Sequence, residues 1–220
     1  MDWRYDPNLV LYLPLYELDG ASFMSRDAYG HLCTVTGATW GIQGRSFDGV
    51  DDYIEIPDAA SLNFGTGDFS LETWIYPHSV TEYKLLLGKW VDWTIGGVAA
   101  GYALYTSNDA AFIFIADGAA QRYGYSAAGT IIINTWQHIV AGRVSGAPFI
   151  HINGVNMSLS LGGAGNFAAN IDNAIALRLG WEFTSTRRFD GVMGEVCVYN
   201  RVLTPLEIQR NSPVTKWRYQ

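Results

Sequence analysis

The 220-residue chain has only two cysteines, Cys33 and Cys197, too few for a disulfide framework. Each sits in a strand-like apolar setting, where a thiol behaves as a small hydrophobe, so both are expected to be free and partly buried. Charge is sparse as well. Asp, Glu, Lys and Arg make up 16% of the residues and 49% are hydrophobic, whereas soluble proteins carry roughly 25% charged residues. Few charges remain to keep the outer faces of a fold solitary, so a homo-oligomer is expected. Basic residues are the scarcer sign, giving a net charge of −7, and Arg187-Arg188 is the one adjacent basic pair. Nucleic-acid affinity comes mainly from clustered Lys and Arg, so a nucleic-acid partner is excluded. No apolar run approaches the roughly 18 residues of a membrane span. The start, Met1 to Pro7, lacks the basic, apolar and small-residue zones of a secretory signal. Synthesis in the cytoplasm is therefore expected, with a virion surface or the extracellular space as the destination after release.

Catalytic signatures are missing too. His31, His78, His138 and His151 show no metalloprotease spacing, and neither a G-x-S-x-G elbow nor a catalytic cysteine signature occurs. Glycoside hydrolysis needs two carboxylates flanking the scissile bond. Glu72 has no carboxylate partner two or four residues further on, and reads as a solvated residue on a strand face. No catalytic residue set emerges, and the chain is not expected to be an enzyme.

What is present is strand grammar. Gly 24, Tyr 13 and Trp 8 fit many short strands joined by tight turns. Period-2 alternation between turn signals places strands near residues 9–15, 32–36, 45–49, 52–56, 69–77, 84–90, 101–107, 111–116 and 121–126. Later ones fall near 130–133, 136–144, 148–152, 155–160, 175–181 and 192–199. Gly96–Gly101 and Ser160–Phe167 read as loops, surfaces on which a rigid sandwich commonly carries recognition. A short C-terminal helix is expected over residues 204–210, with Thr204 as cap, Pro205 in the first turn and Glu207 at capping-box spacing. All-β sandwiches routinely reach this length as one unit, so residues 1–220 are expected to be a single domain, with a core from about 9 to 210.

The richest stretch is FDGVDDYIEIP, residues 47–57, followed after a turn-rich connector by FSLETWIYP, residues 69–77. These segments resemble the laminin-G-like, concanavalin A-like lectin/glucanase jelly-roll family. The likeness extends upstream to Gly30–Val35 and Gly37–Trp40. Downstream it continues through Asn134-Thr135-Trp136-Gln137-His138-Ile139-Val140, Phe149–Gly154 and Phe189–Leu203. It implies an all-β, antiparallel two-sheet β-sandwich. It is specific for fold and poor for function, because one fold hosts many unrelated sites.

The resemblance also frames the candidate sites. Related jelly rolls often carry calcium, and calcium takes six to eight oxygen ligands that neighbouring carboxylates and turn carbonyls supply. The turn carboxylates Asp51 and Asp52, beside Asp48, are the metal candidates, with Asp27 as a remote ligand. Many relatives open the closing strand with an acidic pair, whereas here the segment reads Met193-Gly194-Glu195, and Gly194 removes one expected ligand. Stacking on sugar rings needs exposed aromatics. Trp90, Trp93 and Tyr102, with Tyr105, surround the Gly96–Gly101 loop, and Trp181 precedes another loop; these are the ligand candidates. Trp40, Trp74 and Trp136 match positions that are structural in the family. Trp3-Arg4-Tyr5 near the start is repeated as Trp217-Arg218-Tyr219 near the end, and aromatics with Arg are interface anchors. Trp3, Tyr5, Trp217 and Tyr219 are therefore expected at an interface with neighbouring subunits; otherwise the two tails pack over a sheet end. Two functions follow as expectations: lectin-like recognition of a glycan or glycoprotein for adhesion, and a structural or decoration role in a large assembly such as a virus particle.

Overall fold

A computed structural model describes residues 6–90, 100–182 and 186–219. Two antiparallel sheets form a jelly-roll sandwich. The first contains β1 (Leu9–Pro14), β4 (Thr39–Gly41), β5 (Gly44–Asp48), β7 (Phe69–Pro77), β12 (Gln137–Val144), β13 (Ala147–Ile152), β14 (Val155–Asn156) and β17 (Asp190–Tyr199). The second contains β2 (Ser22–Met24), β3 (Leu32–Thr36), β6 (Tyr53–Ile56), β8 (Lys84–Lys89), β9 (Gly101–Ser107), β10 (Ala110–Ala116), β11 (Gln121–Tyr125), β15 (Ser160–Gly163) and β16 (Leu177–Leu179). A helix, α1 (Pro205–Lys216), and a 3-10 turn over Trp217–Tyr219 follow β17. No helix among the described residues is long and apolar enough to cross a membrane.

In the first sheet the order is β14-β13-β12-β7-β17-β5-β4. The ten-residue β17 pairs along one edge with β7, while its other edge is shared: Asp190–Met193 pair with β5 and Glu195–Tyr199 with β1. In the second sheet the order is β15-β11-β10-β9-β8-β16-β6-β3-β2. Alternation assigns the faces. Leu71 and Ile75 of β7, Ile139 and Ala141 of β12, and Val196 and Val198 of β17 point into the sandwich. There they meet Leu104, Ile113 and Ile54 of the second sheet, each burial worth about 1.5–3 kcal/mol.

The intervening residues of the first sheet point outward, and α1 covers them. Leu9, Tyr12, Val140, Cys197 and Tyr199 pack there against Leu203 and Ile208. Thr204 caps α1, accepting from the Glu207 amide at 3.3 Å while the Glu207 carboxylate accepts from the Thr204 amide at 2.7 Å. The helix runs to Lys216, six residues beyond the expected end at Arg210, because Pro213 is tolerated inside it. Two further expectations are corrected. Residues 130–133 form turns rather than a strand: the Ile132 amide donates to the Gln137 side chain at 2.6 Å and finds no ladder. The expected strand 155–160 splits into β14 and β15, the latter adding to the free edge of β11 within the expected loop. Cys33 and Cys197 are free and buried.

Candidate functional site

Glu72, Trp74 and Tyr76 alternate with the core residues of β7, so they line the outer face of the first sheet. His138 of β12 stands opposite Trp74 in register, their rings 5.1 Å apart. Trp136 precedes β12 and meets Tyr76 at 5.6 Å. Tyr219, returning after α1, sits 4.5 Å from Trp136 and 4.8 Å from Trp74. The result is a row of rings across the sheet, closed on one side by the helix. Trp74 is locked from above, because its Nε1 donates to Thr215 Oγ1 at 2.7 Å and that hydroxyl donates to the Asn211 carbonyl at 2.8 Å.

Between this row and α1 lies a cavity of about 590 Å³. Its accessible aromatic face is the half-buried Trp136, backed by the buried rings of Trp74 and Tyr219, and its polar rim includes Asn153, Gln209, Ser212 and Lys216. Asn153 occupies the left-handed region at φ 51° in the β13–β14 turn, and its Oδ1 accepts from the His138 amide at 2.9 Å. Gly154 beside it is also in the left-handed region, at φ 80°, which a glycine adopts without strain, and the turn lies against Gln209 of α1. The Tyr219 hydroxyl is buried and has no hydrogen-bond partner among the described residues. An aromatic wall with amides and a hydroxyl at its rim suits an amphipathic, hydroxyl-rich ligand.

Beneath the helix, next to the groove, lies a buried polar layer. Glu72 is buried, contrary to the expectation of a solvated strand-face residue, because α1 covers this face. Its carboxylate meets His138 Nε2 at 2.7 Å and accepts from Asn211 Nδ2 at 3.2 Å. Glu195, also buried, accepts from the hydroxyls of Tyr12 and Tyr16 at 3.4 Å and faces Arg218 at 3.7 Å. Burial first, and the Glu72 charge second, push the Glu195 carboxyl up to about 7. Burial holds the His151 imidazole below its usual range.

The carboxylates of Asp48, Asp51 and Asp52 do converge, with ligand atoms within 4.8 Å of one another. They can present oxygens to a hard cation, yet two of them already hold the turn together. Asp52 accepts from the Asp48 amide at 2.9 Å, and Asp48 accepts from Val50 N at 2.8 Å. Asp52 also leans over Gly37, where a β-carbon would overlap its Oδ1. Burial, reinforced by Asp48 and Asp51, raises its pKa. Asp27 stands outside the cluster and caps its own turn, accepting from Tyr12 N and Tyr29 N at 2.9 Å each. Glu195 is no part of it either: Asp190 opposes Asp48 across the β17–β5 ladder, and Glu195 lies five residues further along, roughly 16 Å away at strand rise.

Among the expected ligand aromatics, Trp90 and Tyr102 are core residues, 3% and 0% exposed. Tyr102 faces the sandwich interior against Phe64 and Phe69, and Trp90 joins the aromatic layer of Phe114 and Tyr105 on the second sheet. Neither offers a ring face to a ligand. Trp93 lies outside the described residues. Trp181 is half-buried, with Tyr53 at 5.7 Å and the Arg188 guanidinium 4.8 Å above its ring. At the tails, Trp3 and Tyr5 lie outside the described residues. Tyr219 is buried within its own chain, a correction to its placing at an interface, whereas Trp217 is 68% exposed. The groove itself escaped sequence reading, because Trp74 and Trp136 read as structural positions and nothing in the sequence joins them to Asn153 or to the tail bearing Tyr219.

A family model described as the concanavalin A-like lectin/glucanases superfamily matches residues 48–209. No curated protein matches the sequence. Among solved structures, the binding domain of Paraclostridial Mosquitocidal Protein 1 aligns with TM-score 0.69 at 15% identity, over 93% of this chain and 52% of that one. The receptor binding domain of botulinum neurotoxin D aligns with TM-score 0.71 at 12% identity, over 94% and 53%. The binding domain of botulinum neurotoxin serotype G gives 0.68 at 13%, over 95% and 51%. The chain spans about half the length of these binding domains, and at such identities the likeness is one of fold.

Proposed function

Because the chain belongs to the concanavalin A-like lectin/glucanase superfamily, we propose that it is a non-catalytic binding module that recognises a glycan or glycoprotein through the groove between α1 and the first sheet. The carrying observation is the composition of that groove: the half-buried ring of Trp136, backed by the buried rings of Tyr219 and Trp74, beside the polar groups of Asn153, Gln209, Ser212 and Lys216. Pyranose rings have apolar C–H faces that stack on aromatics and hydroxyls that pair with amides. The volume, about 590 Å³, falls in the range of small-ligand sites. Membership alone leaves hydrolysis open, since glucanases share the fold. Against it stands Glu72, the carboxylate closest in sequence to the groove wall, which is taken up by His138 and Asn211. The similar solved structures are binding domains, which supports the same class.

The test is a glycan array with the whole chain and with Trp136→Ala. A set of glycans bound by the first and lost by the second supports the reading; no binding, or binding indifferent to the substitution, overturns it. The Asp48–Asp51–Asp52 turn serves in this reading as an ancillary calcium site, which calcium titration of the wild type against Asp51→Asn would reveal. A second reading, a building block of a homo-oligomeric assembly, is favoured by exposed Trp217 beside Arg218. Light scattering that gives a monomer mass at micromolar concentration would remove it.

A further inference from the structure

The helix that walls the groove and the turn that follows it are held over two buried carboxylates, an unusual arrangement for a structural contact. Glu72 lies on β7 beneath α1, where Asn211 donates to it, and Glu195 lies on β17, on the same outer face, covered by Tyr12 and Tyr16 and by Arg218 of the turn that follows α1. A β-bulge between Met193 and Val196 sets the register here, and it places Gly194 under the Tyr219 ring and Glu195 under Arg218. Every element packed on this layer contributes a polar or titratable group: Tyr12 from β1, Tyr16 from the following turn, Glu72 from β7, His138 from β12, and His151 from β13. Cys197 and Tyr199 come from β17, Asn211 from α1, and Arg218 and Tyr219 from the final turn. Against two carboxylates, the permanent cation at the layer among the described residues is Arg218, and it stands 3.7 Å from Glu195.

We propose that Glu195 is a positioning residue for the groove: its protonation seats α1 and Tyr219, and its ionisation beside Glu72 loosens them, so that the wall of the binding site responds to pH. This rests on the groove being the binding site. The link to ligand is short. Arg218 adjoins Tyr219, whose ring is part of the aromatic wall, and Asn211, which anchors α1 to Glu72, is next to Ser212 at the rim. Uncovering this layer would return Glu195 to water.

The sign follows from linkage. A carboxyl whose pKa is raised when seated binds more protons in the seated state, so seating is favoured below the ordinary carboxyl range and weakens as pH rises through neutrality. With Glu195 moved from 4.5 to about 7, the local opening equilibrium of α1 should rise about ten- to a hundredfold between pH 5 and pH 8. Arg218 and the tyrosine hydroxyls act the other way, by favouring the ionised carboxylate. Their removal should move the transition to higher pH.

The experiment is hydrogen exchange of α1 amides in the ligand-free full chain from pH 5 to pH 8, corrected for intrinsic exchange rates. Wild type should lose protection across α1 by at least tenfold as pH rises. Glu195→Gln, a neutral isostere, should keep the pH 5 protection throughout, and Arg218→Met should shift the loss upward in pH. A flat wild-type profile, or an undiminished slope in Glu195→Gln, would overturn the proposal. Affinity for an array glycan that depends on Trp136 should follow the same pH course and become flat in Glu195→Gln. If no glycan binds, the binding reading fails while the exchange profile still decides the role of Glu195.

Discussion

The Tyr219 ring lies across the backbone of Gly194, so close that a β-carbon on Gly194 would stand 2.3 Å from the ring. A glycine at this point of the closing strand is thus what admits the C-terminal tail to the sheet. Where the resemblance implies an acidic residue, Gly194 instead lies against the Tyr219 ring.

Gly194→Ala should therefore unseat Tyr219. The expected loss is about 1–3 kcal/mol, the usual cost of overpacking. Its origin can be checked with a double-mutant cycle in urea: in a Tyr219→Ala background the same substitution should cost little, because the obstructing ring is gone. Equal costs in both backgrounds would place the strain elsewhere in the bulge.

The buried Glu72–His138 contact makes a second prediction. Removing one member of a buried pair leaves the other without its partner, at about 3–5 kcal/mol. His138→Ala should approach that loss in chemical denaturation, softened by the Asn211 hydrogen bond that remains on Glu72. A change under about 0.5 kcal/mol, the level of an ordinary surface substitution, would mean that solvent reaches Glu72.

Arg143 offers a third. Its side chain is fully buried and donates to the carbonyls of Gly65, Gly67, Phe167 and Ala169, tying two loops to β12. Arg143→Met keeps the stem and orphans those carbonyls. A loss of about 3 kcal/mol is expected, as for a broken buried polar network, with increased proteolysis in the loops around residues 65 and 168. Unchanged stability would show that water replaces the guanidinium.

The strands were legible where alternation runs between clear turn signals. Leu32–Thr36, Phe69–Pro77 and Gly101–Ser107 begin and end where the pattern places them. The pattern failed where pairing, rather than propensity, decides. Ile131-Ile132-Ile133 has strand composition but no partner strand, and Ser160–Gly163 has loop composition but meets the edge of β11. The helix expected over residues 204–210 instead runs through Pro213 to Lys216, where Thr215 accepts from Trp74 of the sheet. For the candidate sites, composition drew attention to aromatics, two of which, Trp90 and Tyr102, the fold buries. Periodicity cannot tell which face of the second sheet Trp90 joins, nor that the tail bearing Tyr219 folds back over Trp74. The turn cluster Asp48–Asp52 was visible because its members are neighbours in sequence; the groove is assembled from separate segments spread between Trp74 and Tyr219.

The N-terminus of α1 provides the last prediction, with a pH slope opposite to that of Glu195. Hydrogen bonds from Arg201, against a smaller cost of burial, lower the Glu207 carboxyl to about 2, and the Thr204 amide and hydroxyl add to this. A carboxyl depressed on folding contributes stability that is fully present above its unfolded value of 4.5 and is lost as pH falls towards 2. Glu207→Gln should therefore cost most near neutrality, in part by weakening the capping box, and the gap from wild type should narrow as pH drops from about 5 to 2. Glu195→Gln should do the reverse, differing from wild type above pH 7 and converging with it below 5. Thermal melts of both variants across this range separate the two ends of the helix. If the Glu207→Gln gap stays constant with pH, the Arg201 contact is too well solvated to stabilise the cap through its charge, and the capping geometry alone carries that end of α1.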